Sequence, residues 1–240
     1  MALTEGPGKN AGAGGAAAAG EKKPRQTRDA VATRARILKA AEKEYAKKGL
    51  KGTRIDTIAK NARCNKALIY HYFGSKENLF SAVLETTYEK IRDAERKLDL
   101  AHRSPQEAMK ELIGFSFDYV SQHPEFISLI NDENMHGGVH VAHSSRARDL
   151  NSPLVALIEE ILARGQAEGV FRKGVDPVQL YISIASICYF FIANRHTLSA
   201  IFALPMTPEV LEMRRRHVIE VILGYLRPDA PSNELPRVSL

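Results

Sequence analysis

Apolar residues along most of this chain recur every three to four positions, the period of helices that bury one face, and no segment alternates as a half-buried strand would. The pattern predicts helices over residues 29–48, 53–62, 66–72, 76 to about 100, 105–122, 124–135, 153–167, 177–198 and 208–226. Punctuation sets their ends. Ser104-Pro105, Ser152-Pro153, Asp176-Pro177 and Thr207-Pro208 each put a capping oxygen before a proline at the first helical position. There the side chain accepts an orphan backbone N–H, and proline has none to lose. Glu107 adds the third element of a capping box with Ser104. His123-Pro124 is a boundary rather than a cap, Ser75 caps the helix from Lys76, and Gly49 and Gly169 close the helices before them.

Composition fills in what lies between and outside these helices. Residues 1–24 are rich in Gly and Ala and lack periodicity, so residues 1–27 are expected to be a disordered basic arm, with Lys22, Lys23, Arg25 and Arg28 at its end. Residues 228–240, with Pro228, Pro231 and Pro236, are expected to be a flexible tail. Cys64 and Cys188 have neither disulfide-framework nor metal-ligand spacing, and no signal-peptide core opens the chain, so a cytoplasmic protein is expected. The longest apolar stretch, Val178 to Ile192, is interrupted by Gln179, Ser183 and Ser186 and stopped by Asn194-Arg195-His196; it predicts a buried helix, not a membrane span.

The net charge of +6 hides an asymmetry: residues 21–80 hold 16 Lys and Arg against 6 Asp and Glu, while residues 81–240 hold 17 against 21. Concentrated positive charge suits a polyanion at the N-terminal region alone. Within it, Ile55, Ile58, Ala59 and Ala62 form the stripe of a short helix with Thr53 as its expected cap, and a brief turn leads to a second helix capped by Asn65. Ile69 and Phe73 share its inner face. Its other side presents Asn65, Lys66, Ala67, Leu68, Tyr70 and His71, a mixture of donors, small and aromatic groups suited to a major groove. A plain α-hairpin with a solvated basic face is the alternative reading of the same residues.

The run Ile58-Ala59-Lys60-Asn61-Ala62-Arg63-Cys64-Asn65-Lys66-Ala67-Leu68-Ile69-Tyr70-His71-Tyr72-Phe73-Gly74-Ser75-Lys76-Glu77-Asn78-Leu79 resembles the N-terminal signature of the tetracycline-repressor (TetR/AcrR) family. The likeness extends from the first helix through Leu84, and Gly165-Gln166-Ala167-Glu168-Gly169-Val170-Phe171 with Asp176-Pro177 looks like the family's C-terminal half. The resemblance implies an all-α protein: a three-helix DNA-binding domain with a helix-turn-helix over 28–80, then a larger ligand-binding and dimerisation domain over 81–227. It puts Asn65, Lys66, Ala67, Leu68, Tyr70 and Tyr72 on or beside the recognition helix, with Lys66 and Ala67 nearest base edges. Thr53, Arg54, Tyr70 and Lys76 would clamp phosphates. Arg63 stands at the turn position where the family usually has Gly, and a left-handed backbone there would cost Arg roughly 1 kcal/mol.

The same resemblance implies a homodimer through the helices near 177–198 and 208–226, with Tyr181, Ile184, Ile187, Cys188, Phe191, Val218, Ile222 and Tyr225 among the apolar residues available. Two-fold symmetry would present two reading helices to a pseudo-palindromic double-stranded DNA operator. For a small-molecule effector, the expected pocket gathers Phe115, Tyr119, Phe126, Ile130, Tyr189 and Phe190, with Asn134, His136 and Asn194 as polar anchors. His136, His140 and His143 have spacing that a metal could use, but Gly137-Gly138 argues against the helix this would need, and no metal or other cofactor is expected. No nucleophile elbow, dinucleotide loop or phosphate loop occurs, so no enzyme is expected. The expectation is a repressor released from its operator by an effector; the alternative is an architectural DNA-binding protein, which would show no sequence preference and no ligand-dependent release.

Overall fold

The structure is a computed structural model and describes residues 25–229. The greater part of the expected arm and of the expected tail, residues 1–24 and 230–240, lies outside the described residues. Eleven helices and no strands make up those described: α1 (Arg25–Gly52), α2 (Ile55–Asn61), α3 (Lys66–Phe73), α4 (Lys76–Glu95), α5 (Pro105–Gln122), α6 (Pro124–Met135), α7 (Val139–Ala142), α8 (Ser145–Ala167), α9 (Pro177–Ala193), α10 (Arg195–Phe202) and α11 (Pro208–Leu226).

The caps act as their chemistry dictates. Ser75 Oγ accepts from Asn78 N–H at 3.0 Å, Asp176 Oδ1 from both Val178 and Gln179 at 2.9 Å, and Thr207 Oγ1 from Val210 at 3.4 Å. Ser104 accepts from Glu107 N–H, and its hydroxyl donates in return to the Glu107 carboxylate at 2.7 Å. This bond and the cap hold the Glu107 carboxyl below its ordinary range.

Five helix limits differ from the periodic reading. Helix α1 begins at Arg25, inside the expected arm. Pro153 does not open a helix: α8 starts at Ser145 and runs through it, because a proline removes one bond of the ladder without ending a helix held by contacts on both sides. Before it, Arg146 pairs with Glu89; after it, Leu154, Ile158 and Ile161 enter the core. The expected 177–198 helix breaks at Asn194, and α9 and α10 meet at a bend of 68°. Helix α4 stops at Glu95, and one helical turn, α7, follows Gly137-Gly138 where a loop was expected.

Two cores result. The first packs Ile37 and Tyr45 of α1, Ile58 of α2, Ile69 of α3 and Phe80 of α4, and it takes Leu129 from α6. The second packs Met109, Ile113 and Phe117 of α5 against Ile158 of α8, Ile184 of α9 and Val218 of α11. Helix α4 supplies Leu79, Phe80, Val83 and Leu84 to the first core and buries Ile91 among the helices beyond it, so one 20-residue rod of ~30 Å joins the two regions. At the junction, Glu133 is buried and accepts from the backbone of His140 and Val141, while the His140 ring meets Phe80 edge-on at 5.1 Å.

Two glycines are there for space. Gly49 breaks α1 with φ +67°, and Asp132 Oδ1 of α6 lies 2.8 Å from where a side chain would begin. The Phe171 ring lies over Gly165 in the position a Cβ would occupy, closing the turn after α8. Among the described residues no single helix is long and apolar enough to cross a membrane; the bent α9–α10 pair passes such a test by length and composition only, and α9 packs into the second core.

Candidate functional site

The reading helix is short because its own chemistry limits it. Asn65 Oδ1 accepts from Leu68 N–H at 2.8 Å to start α3, and Gly74 ends it eight residues later. Ile69 and Phe73 are buried under the first core, with the Arg34 guanidinium 5.2 Å from the Phe73 ring centre on its outer side. Asn65, Lys66, Ala67, Tyr70 and His71 are exposed, while Leu68 and Tyr72 are half-buried at the edges. Lys66 forms an ion pair with Asp56 at 3.3 Å with both side chains well exposed. Such a pair is worth at most about 1 kcal/mol, so Lys66 is free to exchange it for a nucleic acid.

The turn before α3 is a Schellman motif: Cys64 N–H reaches Ala59 O at 3.0 Å and Arg63 N–H reaches Lys60 O at 3.2 Å. It forces Arg63 into the left-handed region at φ +52°, so the turn keeps the geometry that glycine would serve. Arg63→Gly is therefore expected to stabilise the protein by about 0.5–1 kcal/mol, the relief of strain exceeding the entropy gained by the unfolded chain. Thermal unfolding of the two proteins checks this, and a lower midpoint for the glycine variant would show that Arg63 contributes more than strain.

The flanking residues divide. Arg54 is exposed and stands at the cap position of α2, which Thr53 was expected to fill. Thr53 is instead 2% exposed, and its hydroxyl donates to Glu44 O at 3.1 Å, so it fastens α1 to α2 from inside. Lys76, half-buried, opens α4; its Nζ donates to Lys51 O at 3.4 Å, and its carbonyl accepts from the buried Tyr45 hydroxyl at 2.9 Å.

A cavity of about 70 Å³ lies among α4, α5, α6 and α9. Of the residues expected to form a pocket, Phe126 and Tyr189 line it. Tyr119 and Phe115 stand behind Phe126, with Tyr119 packed edge-on against it at 5.9 Å and Phe115 5.7 Å from Tyr119. The others are elsewhere. Ile130 packs on the first core; Asn134 donates to Ile130 O; His136 engages Asp132 O at 2.7 Å; Asn194 donates to Phe190 O; and Phe190 is 58% exposed. Helical periodicity says which residues share a face but not which face a broken helix turns inward, and α9 ends at the break.

The cavity's unexpected walls come from α4: Tyr88, Ile91, Arg92 and Glu95. Arg92 and Glu95 are each 5% exposed, and Arg92 Nη1 lies 2.9 Å from Glu95 Oε2. That pairing balances charge without good alignment, for Nε and Nη1 of Arg92 are buried with no hydrogen-bond acceptor. Burial pushes the Glu95 carboxyl up to about 7, against the pull of Arg92 and Arg96. Burial also pushes the Tyr88 hydroxyl and the Cys188 thiol up to about 12, so both stay neutral. Among the described residues no cluster of His, Cys, Asp or Glu is arranged to hold a metal, and His140 is committed to Glu133.

Known proteins carry both halves of this arrangement. The family model of bacterial regulatory proteins, tetR family, matches residues 37–83, and that of the tetracyclin repressor-like C-terminal domain matches residues 105–222. The chain is 44% identical over 174 residues to the HTH-type transcriptional repressor NicS of Pseudomonas putida, spanning 72% of this chain and 82% of that protein. It is 36% identical over 162 residues to the HTH-type transcriptional repressor SCO4008 of Streptomyces coelicolor, spanning 66% and 78%. The crystal structure of the TetR family transcriptional regulator PfmR from Thermus thermophilus superimposes with a TM-score of 0.57 at 25% identity, over 79% of this chain and 97% of that one. With a helix-turn-helix head on one core, a helical body on a second and relatives that match across both, this chain belongs to the tetracycline-repressor family of DNA-binding transcriptional regulators.

Proposed function

We propose that the protein is a homodimeric repressor that reads a pseudo-palindromic operator with α3 and releases it when a small molecule fills the α4–α9 cavity. It acts by binding, without catalysis, on chromosomal DNA in the cytoplasm. The observation that carries this reading is the continuity of α4, which starts at Lys76 beside the DNA-reading face and ends on Arg92 and Glu95 in the cavity wall. Lys66 and Ala67 supply base-edge contacts, with Asn65, Leu68, His71 and Tyr72 around them, and Arg54, Tyr70 and Lys76 hold phosphates. The buried Thr53 supports that clamp from beneath.

A second connection runs through α6. The Tyr189 hydroxyl donates to Asn131 Oδ1 at 2.5 Å, and the adjacent Asp132 carboxylate accepts Leu50 N–H at 2.6 Å, where α1 breaks. A ligand that moves Tyr189 or α4 therefore acts on both supports of the head. Moving the population from 99:1 bound to 1:99 needs a preference of ~5.5 kcal/mol for the released state, and operator DNA must weaken the ligand by the same factor.

Apolar exposure supports pairing through the last helices, though on different residues from those expected. Ile184, Cys188, Phe191, Val218 and Ile222 are buried within the single chain, and Tyr181 faces the cavity. Ile182 and Phe190 of α9 and Met213, Val221 and Tyr225 of α11 are the large apolar residues left exposed there. An exposed set of this kind marks an interaction surface. The double variant Phe190→Asp with Val221→Asp is expected to sediment as a monomer and to bind operator at least tenfold more weakly. A variant that stays dimeric would move the interface elsewhere.

Footprinting on the DNA upstream of the protein's own gene, against a scrambled duplex of equal length at the same salt, tests the DNA half. Two protected half-sites whose centres are ~34–36 Å apart, or a multiple of that, are expected. Equal affinity for both duplexes would support an architectural protein instead.

A further inference from the structure

We propose that the α4–α9 cavity takes a small monocyclic aromatic monocarboxylate, its carboxylate on the guanidinium of Arg92 and its ring against Tyr88, Phe126 and Tyr181. This rests on the reading of the cavity as the effector site and names the chemistry it recognises.

The charge of the ligand follows from Arg92. Its side chain is 95% buried, yet Nε and Nη1 have no acceptor, and buried donors without acceptors are rare because each forfeits its hydration. A cation would meet this guanidinium with repulsion. A neutral ligand would leave it short of anionic acceptors, whereas a carboxylate offers two oxygens in the plane that a guanidinium fork matches. One positive group sets the limit at one negative charge.

The size and shape follow from the walls. A volume of about 70 Å³ holds roughly five waters, the scale of a single substituted ring and too small for a fatty chain or a fused-ring system. Four aromatic side chains, those of Tyr88, Phe126, Tyr181 and Tyr189, give flat surfaces for stacking. Ile91, Val120 and Cys188 close the remainder with apolar surface.

Glu95 makes binding depend on protons. Its carboxyl faces Arg92 and Arg96 on its own helix, Tyr119 of α5, and Tyr181, Cys188 and Tyr189 of α9; its other side borders a groove with Asp99 and with Glu160 of α8. When ionised it occupies the charge of Arg92 and repels an incoming carboxylate. When protonated it leaves Arg92 to the ligand and donates a hydrogen bond to it. With a carboxyl lying near 7, affinity falls about tenfold from pH 6 to pH 8.

The test uses the full-length protein and five acids, benzoate, 4-hydroxybenzoate and the three pyridine monocarboxylates, each beside its neutral amide, with calorimetric titration and thermal unfolding as readouts. At least one acid is expected to bind and to raise the midpoint, with its amide tenfold or more weaker. Arg92→Met is expected to lower that acid's affinity at least tenfold, and Glu95→Gln to retain binding while abolishing the difference between pH 6 and pH 8. Arg92→Lys, which keeps the charge and loses the fork, serves if the methionine variant does not fold, and the same tenfold loss is expected. The proposal is overturned if no acid binds at millimolar concentration, if acids and amides bind alike, or if the Arg92 variant binds as well as the parent. DNA binding measured in parallel separates the two claims. Acid binding without operator binding would remove the repressor reading, and operator binding indifferent to every acid would remove this one.

Discussion

Replacing Lys66 and Tyr70 together with alanine is expected to weaken the operator complex about a hundredfold, ~3 kcal/mol at fixed salt, while the free protein unfolds within a degree or two of the parent. The two measurements separate because of where the side chains lie. Both are exposed on the outer side of α3, whose inner side holds Ile69 and Phe73. The ion pair that Lys66 forms with Asp56 is solvated and contributes little to folding. In the complex the same groups would replace water with guanine edges and phosphate oxygens, where each contact is worth ~1–3 kcal/mol. Quantitative band-shift or anisotropy titrations at two salt concentrations decide it. Unchanged affinity at both would place the reading face away from α3.

Phe80→Ala is expected to have the largest effect on stability of any single truncation in the head, lowering unfolding free energy by about 3–5 kcal/mol and the midpoint by roughly 10 °C. Phe80 is fully buried between two rings, with Tyr45 of α1 at 5.1 Å and His140 of α7 at 5.1 Å, both edge-on. Removing it costs the transfer of a large apolar group and leaves a cavity that neither neighbour can fill. Tyr45 is held by its bond to Lys76 O, and His140 by the Glu133 carboxylate. Calorimetric unfolding checks the size; a loss under ~1 kcal/mol would mean that the two helices collapse onto the gap.

The legible parts of this molecule were those written in local chemistry. Ser75, Ser104, Asp176 and Thr207 cap helices because an oxygen beside a free N–H is a matter of two or three residues. The exposed side of α3 is legible too, since its buried side is a plain i, i+4 pair. What escaped depends on contacts across the fold. Pro153 sits inside α8, and the bend at Asn194 takes Phe190 away from the cavity. Arg92 and Glu95 escaped for another reason: an i, i+3 charge pair reads as an ordinary solvated helix surface. The sequence did carry a signal. Phe80, Leu84, Thr87, Ile91 and Glu95 follow one helical stripe, and a glutamate in register with buried residues is out of place unless something inside the protein needs it.

The unbroken course of α4 also bears on how such a protein is taken apart and recombined. Residue 80 marks the end of the head's core only if Val83 and Leu84 are ignored, and both are buried with the head, as is Leu129 from α6. A chimera joined at 80 would graft a foreign helix surface onto the two positions that close the head's floor. A transplanted reading head should instead travel with α4 to Leu84 and with the face of α6 around Leu129 and Asp132. Its specificity is then portable only into bodies that accept that seam.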